Sequence, residues 1–419
     1  MKIQSVRGMR DILPEDQKYW QFAQNLFDET SSSLGFSRLI IPSVEELSLF
    51  ERGIGEATDI VEKEMFVIAA KSDDNATLAL RPELTAGCVR AYIENGMKSK
   101  PQPVRLSLFG SAFRRERPQK NRYREFYQLD FEAIGDEKAL WDVYIIYSSL
   151  KYLERLGLKN IRTTVNSIGC RECRPSYREK LIKYFKDNVD KLCEDCKRRL
   201  RTNPLRILDC KEPACQGLSK DAPKMLDNLC PACDEHFDYV KSSLNNLNVD
   251  FEINPQLVRG LDYYNRTVFE FNQKADTGRQ SSLGGGGRYD YLFEMIGESP
   301  TPAVGVALGL DRIVNALKEN SIEIPKVETK QILIVGTPDT VKQCLGASNK
   351  IFETTALTPL YFPQETAIGK QLELANKLQV DYAVIIGPDE LKSGKYQLKD
   401  LKTGEQKQIK PDKLVELLS

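Results

Sequence analysis

Phe113-Arg-Arg-Glu-Arg-Pro-Gln-Lys-Asn-Arg-Tyr-Arg-Glu-Phe-Tyr-Gln-Leu-Asp-Phe-Glu132 packs cations, a stacking ring and carboxylates into one short stretch. If residues 124 to 133 are extended, strand period points Tyr127, Leu129, Phe131 and Ala133 one way and Arg124, Phe126, Gln128, Asp130 and Glu132 the other. One face is then core and the other carries chemistry. Arg114, Arg115, Arg117, Lys120, Arg122 and Arg124 surround a loop containing Pro118 and Asn121, which predicts two antiparallel strands joined by a basic tip. Arginine forks match phosphate geometry, and a desolvated charge-assisted bond contributes about 1.5–3 kcal/mol. A solvated charged hairpin is the plain alternative, but it has no use for Phe126 among polar neighbours. The stretch therefore reads as a nucleotide site.

The 419 residues are enough for two or three domains. Lys plus Arg equals Asp plus Glu at 60 each, so nucleic-acid binding must come from local patches rather than a global field. The first residues form no apolar signal-peptide core, and no run approaches the length of a membrane span. A cytoplasmic protein without membrane association is the expectation. His236 is the single histidine, which argues against Ser-His relays and paired-imidazole schemes. It follows a Cys pair at a predicted helix start and reads as structural. Chemistry must then rest on arginines, carboxylates, tyrosines and the substrate's own groups.

Working outward, Pro14 followed by Trp20, Ala23 and Phe27 predicts an amphipathic helix, and Arg38-Leu-Ile-Ile-Pro42 a strand ended by proline. Thr77–Glu83 and Val104–Phe109 are further strands, giving an antiparallel-rich α+β domain. Residues 170–240 differ, holding eight of the ten cysteines in a lysine-rich helical texture. A strand-like, site-bearing pattern resumes at Val249 and includes Leu257-Val-Arg-Gly-Leu-Asp-Tyr-Tyr264, so 170–240 is an insertion between two parts of one catalytic domain, 1–169 and 241–320. Residues 321–330 read as a linker, and 331–419 show βαβ patterning closed by a hairpin turn at Lys399–Gly404.

Phe113-Arg114-Arg115-Glu116 with Arg122 to Phe126 resembles motif 2 of the class II aminoacyl-tRNA synthetases. Leu257–Tyr264 and Gly284-Gly-Gly-Gly-Arg-Tyr-Asp290 resemble the two histidine signatures of the histidyl-tRNA synthetase family, and Ala303–Arg312 resembles motif 3. The runs Arg7–Pro14 and Leu80–Thr85 agree, so the likeness covers nearly the whole chain. It implies a class II α+β catalytic domain, an inserted helical cysteine-rich domain and a C-terminal α/β anticodon-binding domain. The implied activity joins L-histidine to tRNA-His through histidyl-adenylate, using ATP with Mg2+. A homodimer is implied because the first helix and the Pro42 strand resemble motif 1.

The resemblance also implies roles by position. Arg114 would hold the α-phosphate, Arg122 and Arg312 the β/γ end, Glu116 the adenine amino group, and Phe126 would stack under adenine. Arg259 would lie between substrate carboxylate and α-phosphate and contribute roughly 3–4 kcal/mol in the transition state. No protein base is needed, because the attacking carboxylate is already ionised. Glu83, Thr85 and Gln128 would bind the α-ammonium, while Glu132, Tyr264 and Tyr289 would bond the imidazole. Tyr263 reads as an ordinary strand aromatic. Arg117, Gln119 and Lys120 would meet the acceptor stem of the tRNA. The four glycines at 284–287 suit either a turn or close backbone approach to substrate; no Gly-Lys-Ser/Thr follows, which excludes a P-loop.

Cys170/Cys173, Cys193/Cys196 and Cys230/Cys233 are CxxC pairs, with Cys210 and Cys215 between them. In a reducing compartment this spacing suggests structural zinc rather than disulfides, with Cys193, Cys196, Cys230 and Cys233 as the candidate ligand pairs. A reduced, thiol-rich helical insertion stays open beside it. Cys88 and Cys344 read as buried thiols. A regulatory paralogue of the family, by its pattern, lacks the C-terminal domain and degrades the histidine signatures; this chain has both. A cysteine-bearing nucleic-acid module would leave Arg259, the Gly284 run and Arg312 without a purpose.

Overall fold

The computed structural model describes residues 3–55, 58, 60–68, 77–117, 122–273, 282–325, 330–355, 357–361, 367–414 and 416. The chain forms two compact units, Met1–Ile324 and Pro325–Ser419.

The larger unit is built on an eight-stranded sheet. Its strands are β1 (Ser37–Leu39), β2 (Val104–Phe113), β3 (Glu125–Ile134), β4 (Ile161–Ser167), β5 (Phe251–Ile253), β6 (Asn265–Gln273), β7 (Ser282–Arg288) and β8 (Ala303–Gly309). They lie in the order β1-β2-β3-β8-β7-β6-β4-β5. The central pairings are antiparallel; only β1 with β2 and β4 with β5 run parallel. Strand β3 sits between β2 and β8, facing Val104 to Phe113 on one side and Ala303 to Gly309 on the other. Paired along its whole length with β2 and over Gln128–Ile134 with β8, it tolerates no register slip, because a one-residue shift would turn its polar row into the core.

The apolar row of β3 packs under helices. In the helix Pro14–Ser33, proline starts the first turn and Trp20, Ala23 and Phe27 form one buried stripe. Trp20 meets Tyr127 edge-on at 5.2 Å between ring centroids, and Phe27 meets Phe131 at 4.8 Å. Leu140–Arg155 lays Val143, Ile146 and Leu150 into the same core. The strand expected over Arg38–Pro42 is shorter, stopping at Leu39. The segment Leu257–Tyr264 is an irregular loop rather than a strand, since Asn254 turns the chain after β5 and regular pairing resumes at Asn265.

One buried ionic knot ties three elements together. Arg288, at the end of β7, is 0% exposed and donates to Asp142 Oδ2 from Nη2 at 2.6 Å and from Nε at 3.0 Å. His236, in the helix Pro231–Asn246, reaches Asp142 Oδ1 through Nε2 at 3.1 Å. Burial by itself would raise the Asp142 carboxyl; the Arg288 guanidinium, and after it His236, override that and hold it well below the usual carboxylate range. The stability this carboxylate contributes is present above the unfolded carboxyl value and lost as pH falls through the folded one.

The smaller unit has a five-stranded sheet in the order Thr358–Tyr361, Gln331–Gly336, Tyr382–Ile386, Tyr396–Asp400, Gln406–Ile409. The first three strands are parallel and the last two antiparallel. Helices Val341–Thr354 and Ile368–Lys377 contribute to separate apolar clusters, which hold alternate residues of Gln331–Gly336: Ile332 and Ile334 in one, Leu333 and Val335 in the other.

Asp142→Asn should leave the buried Arg288 charge with Asp290 as its one remaining carboxylate among the described residues and cost about 3–5 kcal/mol. Chemical denaturation followed by tryptophan fluorescence checks this, and a loss under about 1 kcal/mol would contradict the ionic account.

Candidate active site

The polar face of β3 floors a cleft walled by β7, β8 and the loop before β6. Arg114, Glu116, Arg122, Phe126, Gln128, Arg259 and Arg312 all line it, together with Tyr123, Ser282–Gly285 and Asp311. Arg114 leaves the end of β2, where its backbone N–H bonds Arg124 O at 2.8 Å and its Nε donates to Pro82 O at 2.9 Å. Its guanidinium carbon lies 5.2 Å from the Phe126 ring centroid. Arg312 stands at the start of the helix Leu310–Glu319 and donates to Ser282 O at 2.8 Å. Arg259 enters from the loop 257–264, 5.9 Å from the Tyr264 ring centroid; its Nε is buried with no hydrogen-bond partner among the described residues.

These three cations repel one another. Burial lowers the affinity of Arg114 and of Arg312 for their protons, and the charge of Arg259 acts in the same direction on both. An arginine does not give up its proton in a protein, so this end of the cleft is suited to an anion.

Beyond Gln128 the floor turns acidic. The Glu83 carboxylate accepts the backbone N–H groups of Thr85 and Ala86 at 2.8 Å each, closing the first turn of the helix Thr85–Glu94. Glu132 accepts Tyr289 OH at 2.6 Å and Thr85 Oγ1 at 3.0 Å. Burial pushes the Glu132 carboxyl up to about 8, more than those two donors pull it down. Asp130 is driven well above its usual range by burial, then by the neighbouring charges of Glu132 and Glu83. Its two oxygens and Gln128 Oε1 find no hydrogen-bond donor among the described residues. Tyr263, Tyr264 and Tyr289 pack as a buried aromatic wall beside this end.

Not every expected residue is gathered there. Arg117 is exposed at the start of the basic tip, and Gln119 and Lys120 lie outside the described residues. Arg122 and Glu116, expected to serve opposite ends of a nucleotide, are ion-paired with each other. The glycines 284–287 form strand β7, not a turn. A methyl group on any of them would lie 2.0–2.7 Å from a backbone oxygen of β6 or β8, and on Gly285 also 2.6 Å from Arg259 Nη1. Their smoothness lets three strands close up and leaves room for that guanidinium.

Several contributors escaped the sequence reading. Tyr263, read as a strand aromatic, directs its hydroxyl to Glu83 at 3.4 Å. Gly305 leaves space for Glu132, whose Oε2 would sit 1.5 Å from an added methyl. Arg10 stacks on Tyr123 at 3.8 Å and pairs with Asp311 at 2.8 Å, while Asp311 also accepts Tyr127 N–H at 2.7 Å. Arg10 belongs to the Arg7–Pro14 run, and its cationic side chain was the available signal.

The cysteines form two foursomes: Cys170, Cys173, Cys230 and Cys233, and Cys193, Cys196, Cys210 and Cys215. The expected grouping of Cys193/Cys196 with Cys230/Cys233 is thereby corrected. Cys230/Cys233 open the last helix of the insertion, which brings them back to the Cys170/Cys173 end where the insertion leaves the sheet.

The antiparallel sheet with its arginine and aromatic cleft is that of a class II aminoacyl-tRNA synthetase, and comparison with known proteins gives the same class. The family profile "Histidyl-tRNA synthetase" matches residues 8–172 and 201–313, and an "Anticodon binding domain" profile matches 348–419. The chain is 41% identical over 420 residues to a histidine--tRNA ligase of Acetivibrio thermocellus, covering 100% of both chains. It is 42% identical over 414 residues to one of Dehalococcoides mccartyi, covering 98% of each. The crystal structure of apo S. aureus histidyl-tRNA synthetase superposes with a TM-score of 0.82 at 31% identity, covering 100% of both chains. This chain belongs to the histidyl-tRNA synthetase family.

Proposed function

We propose that the chain activates L-histidine with ATP to histidyl-adenylate and passes the histidyl group to the 3′ end of tRNA-His. The observation that carries this reading is a cleft lined by Arg114, Arg259, Arg312 and Gln128, with Glu132, bonded to Tyr289, buried further along the same strand face and Glu83 buried beside them. A triphosphate suits the arginines and an ammonium with an imidazole the buried acidic groups. Residues 1–169 and 241–320 would be catalytic, 170–240 an insertion, 321–330 a linker, and 331–419 the anticodon reader.

In the first step the histidine carboxylate attacks the α-phosphorus and pyrophosphate leaves. Arg114 and Arg259 would hold the oxygens on which charge builds, already aimed and partly desolvated, so little reorganisation remains. Phe126 would stack on adenine. Arg122 would release Glu116, freeing the carboxylate for the adenine amino group and the guanidinium, with Arg312, for the β/γ end. Mg2+ would arrive with ATP and neutralise part of its charge; Glu270, whose carboxylate acts on Arg312, is an oxygen donor suited to it. Glu83, Thr85 and Gln128 would take the α-ammonium, with the Asp130 carboxyl behind them. Glu132, Tyr289 and Tyr264 would bond the imidazole, and an apolar analogue would leave those groups unpaired, a penalty of about 10⁴–10⁵ in specificity. Arg117 with the tip residues Gln119 and Lys120 would meet the acceptor stem. A homodimer is supported by Ile40, 77% exposed beside the edge strand β1. Ile40→Asp should shift sedimentation toward the monomer, and an unchanged profile would remove that support.

Arg259→Ala should lower histidine-dependent ATP–pyrophosphate exchange about 10²–10³-fold while leaving the thermal unfolding midpoint and tRNA binding in place. Exchange near the parent rate would contradict the assigned role. The Glu132 proton gives a second expectation, since the Glu132–imidazole pair holds one proton when joined. Below about pH 6.5 free imidazole is already protonated, so binding must release a proton. Above about 8 Glu132 arrives ionised, so binding must take one up. Histidine affinity should therefore peak between those values, and Glu132→Gln should erase the alkaline limb. Calorimetric titration across that range checks this; an affinity independent of pH would contradict it.

A further inference from the structure

The insertion is small for the core it carries. Its apolar cluster is built around Tyr177, Leu181, Phe185 and Ile207, and six cysteines are themselves part of it. Within each foursome all the sulfurs lie within 4.8 Å of one another. Cys170 Sγ is 3.6 Å from Cys173 Sγ and 3.8 Å from Cys230 Sγ, and Cys193 Sγ is 3.8 Å from Cys210 Sγ. These separations are far beyond a disulfide, whose sulfurs stand about 2.05 Å apart. They match the edge of a tetrahedron of thiolates around one zinc ion, which is about 3.8 Å when each Zn–S bond is about 2.3 Å.

The backbone is arranged for thiolates as well. Cys173, Cys193 and Cys230 occupy the positions immediately before the helices Arg174–Lys186, Glu194–Thr202 and Pro231–Asn246. The positive ends of three helices therefore face the two clusters. Backbone N–H groups also point at sulfur: Glu172 at Cys170 from 3.3 Å, Cys230 at Cys173 from 3.1 Å, and Cys193 at Cys215 from 3.3 Å. Such donors orient ligand sulfurs and offset the charge of four thiolates.

We infer that the insertion holds two mononuclear structural zinc ions, one on Cys170, Cys173, Cys230 and Cys233, the other on Cys193, Cys196, Cys210 and Cys215. Each site takes up Zn2+ as its thiols release their protons, with no change of oxidation state. Both sites are closed by four protein ligands, so they hold structure and offer no open position for catalysis.

The metals reach the cleft indirectly. Arg174, next to Cys173, bonds Tyr264 O; Asn203 Nδ2 donates to Asp262 Oδ1 at 2.7 Å; and Arg206 Nη1 donates to Gly260 O at 2.8 Å. The insertion thus braces the loop that carries Arg259, and the zinc sites fix the insertion. This last step alone rests on the synthetase reading; the sites themselves do not.

Elemental analysis of the purified full chain tests the inference. Two zinc ions per chain are expected, one in Cys233→Ser and one in Cys215→Ser. Zinc below about a tenth of an equivalent, in protein that also fails to take up added Zn2+, overturns it, and so does iron as the native metal. Because either variant can lose its fold, the parent chain is also to be loaded with Co2+. Intense thiolate-to-cobalt absorption saturating at two equivalents supports the sites, and saturation at one overturns the pair. Removal of zinc by chelator should speed hydrogen exchange in residues 257–264, and unchanged exchange there overturns the bracing role.

Discussion

Strand pleat is the constraint on which the site depends. Along β3 a backbone that alternates its side chains commits Tyr127, Leu129, Phe131 and Ala133 to a core under two helices. The same alternation leaves Phe126, Gln128, Asp130 and Glu132 in a row on the opposite face. Because β3 lies between β2 and β8 with every residue paired, the row is straight and its spacing fixed. Positions on such a strand are held more tightly than loop positions could be, which is what a transfer reaction sensitive to small displacements needs.

The floor so formed is electrostatically unfinished. Three guanidiniums crowd one end, and at the other Glu83, Asp130 and Glu132 are all held above their ordinary proton affinities by burial. Arg259 Nε, Gln128 Oε1 and both Asp130 oxygens stand buried without a partner among the described residues. Unsatisfied groups of this kind destabilise a fold, and these belong to the strand face and loop that form the cleft. The rest of the unit offsets that cost with fully paired ions, above all Arg288 with Asp142 and His236. The single histidine of the chain thus serves the scaffold.

Much of this was legible in the sequence because it is local. The alternation in β3, the helical stripe of Trp20, Ala23 and Phe27, and the strand–helix rhythm after residue 330 are properties of neighbouring residues. Contacts between distant segments were not legible. Nothing near Tyr263 announces Glu83, nothing near Gly305 announces Glu132, and Arg10 meets Asp311 across most of the catalytic unit. Cysteine grouping failed for the same reason: CxxC spacing fixes each pair but not which pairs meet. The loop 257–264 misled because apolar and aromatic residues there bury against the pocket without joining a ladder. Composition signals burial, whereas the ladder depends on partners the local sequence does not name.

A crystal structure with a non-hydrolysable histidyl-adenylate analogue tests the account most directly. The account predicts adenine on Phe126, the phosphate surrogate within hydrogen-bond reach of both Arg114 and Arg259, and the imidazole against Glu132 and Tyr289. An analogue seated with its phosphate surrogate away from those two guanidiniums, or with its imidazole turned away from Glu132, would contradict it.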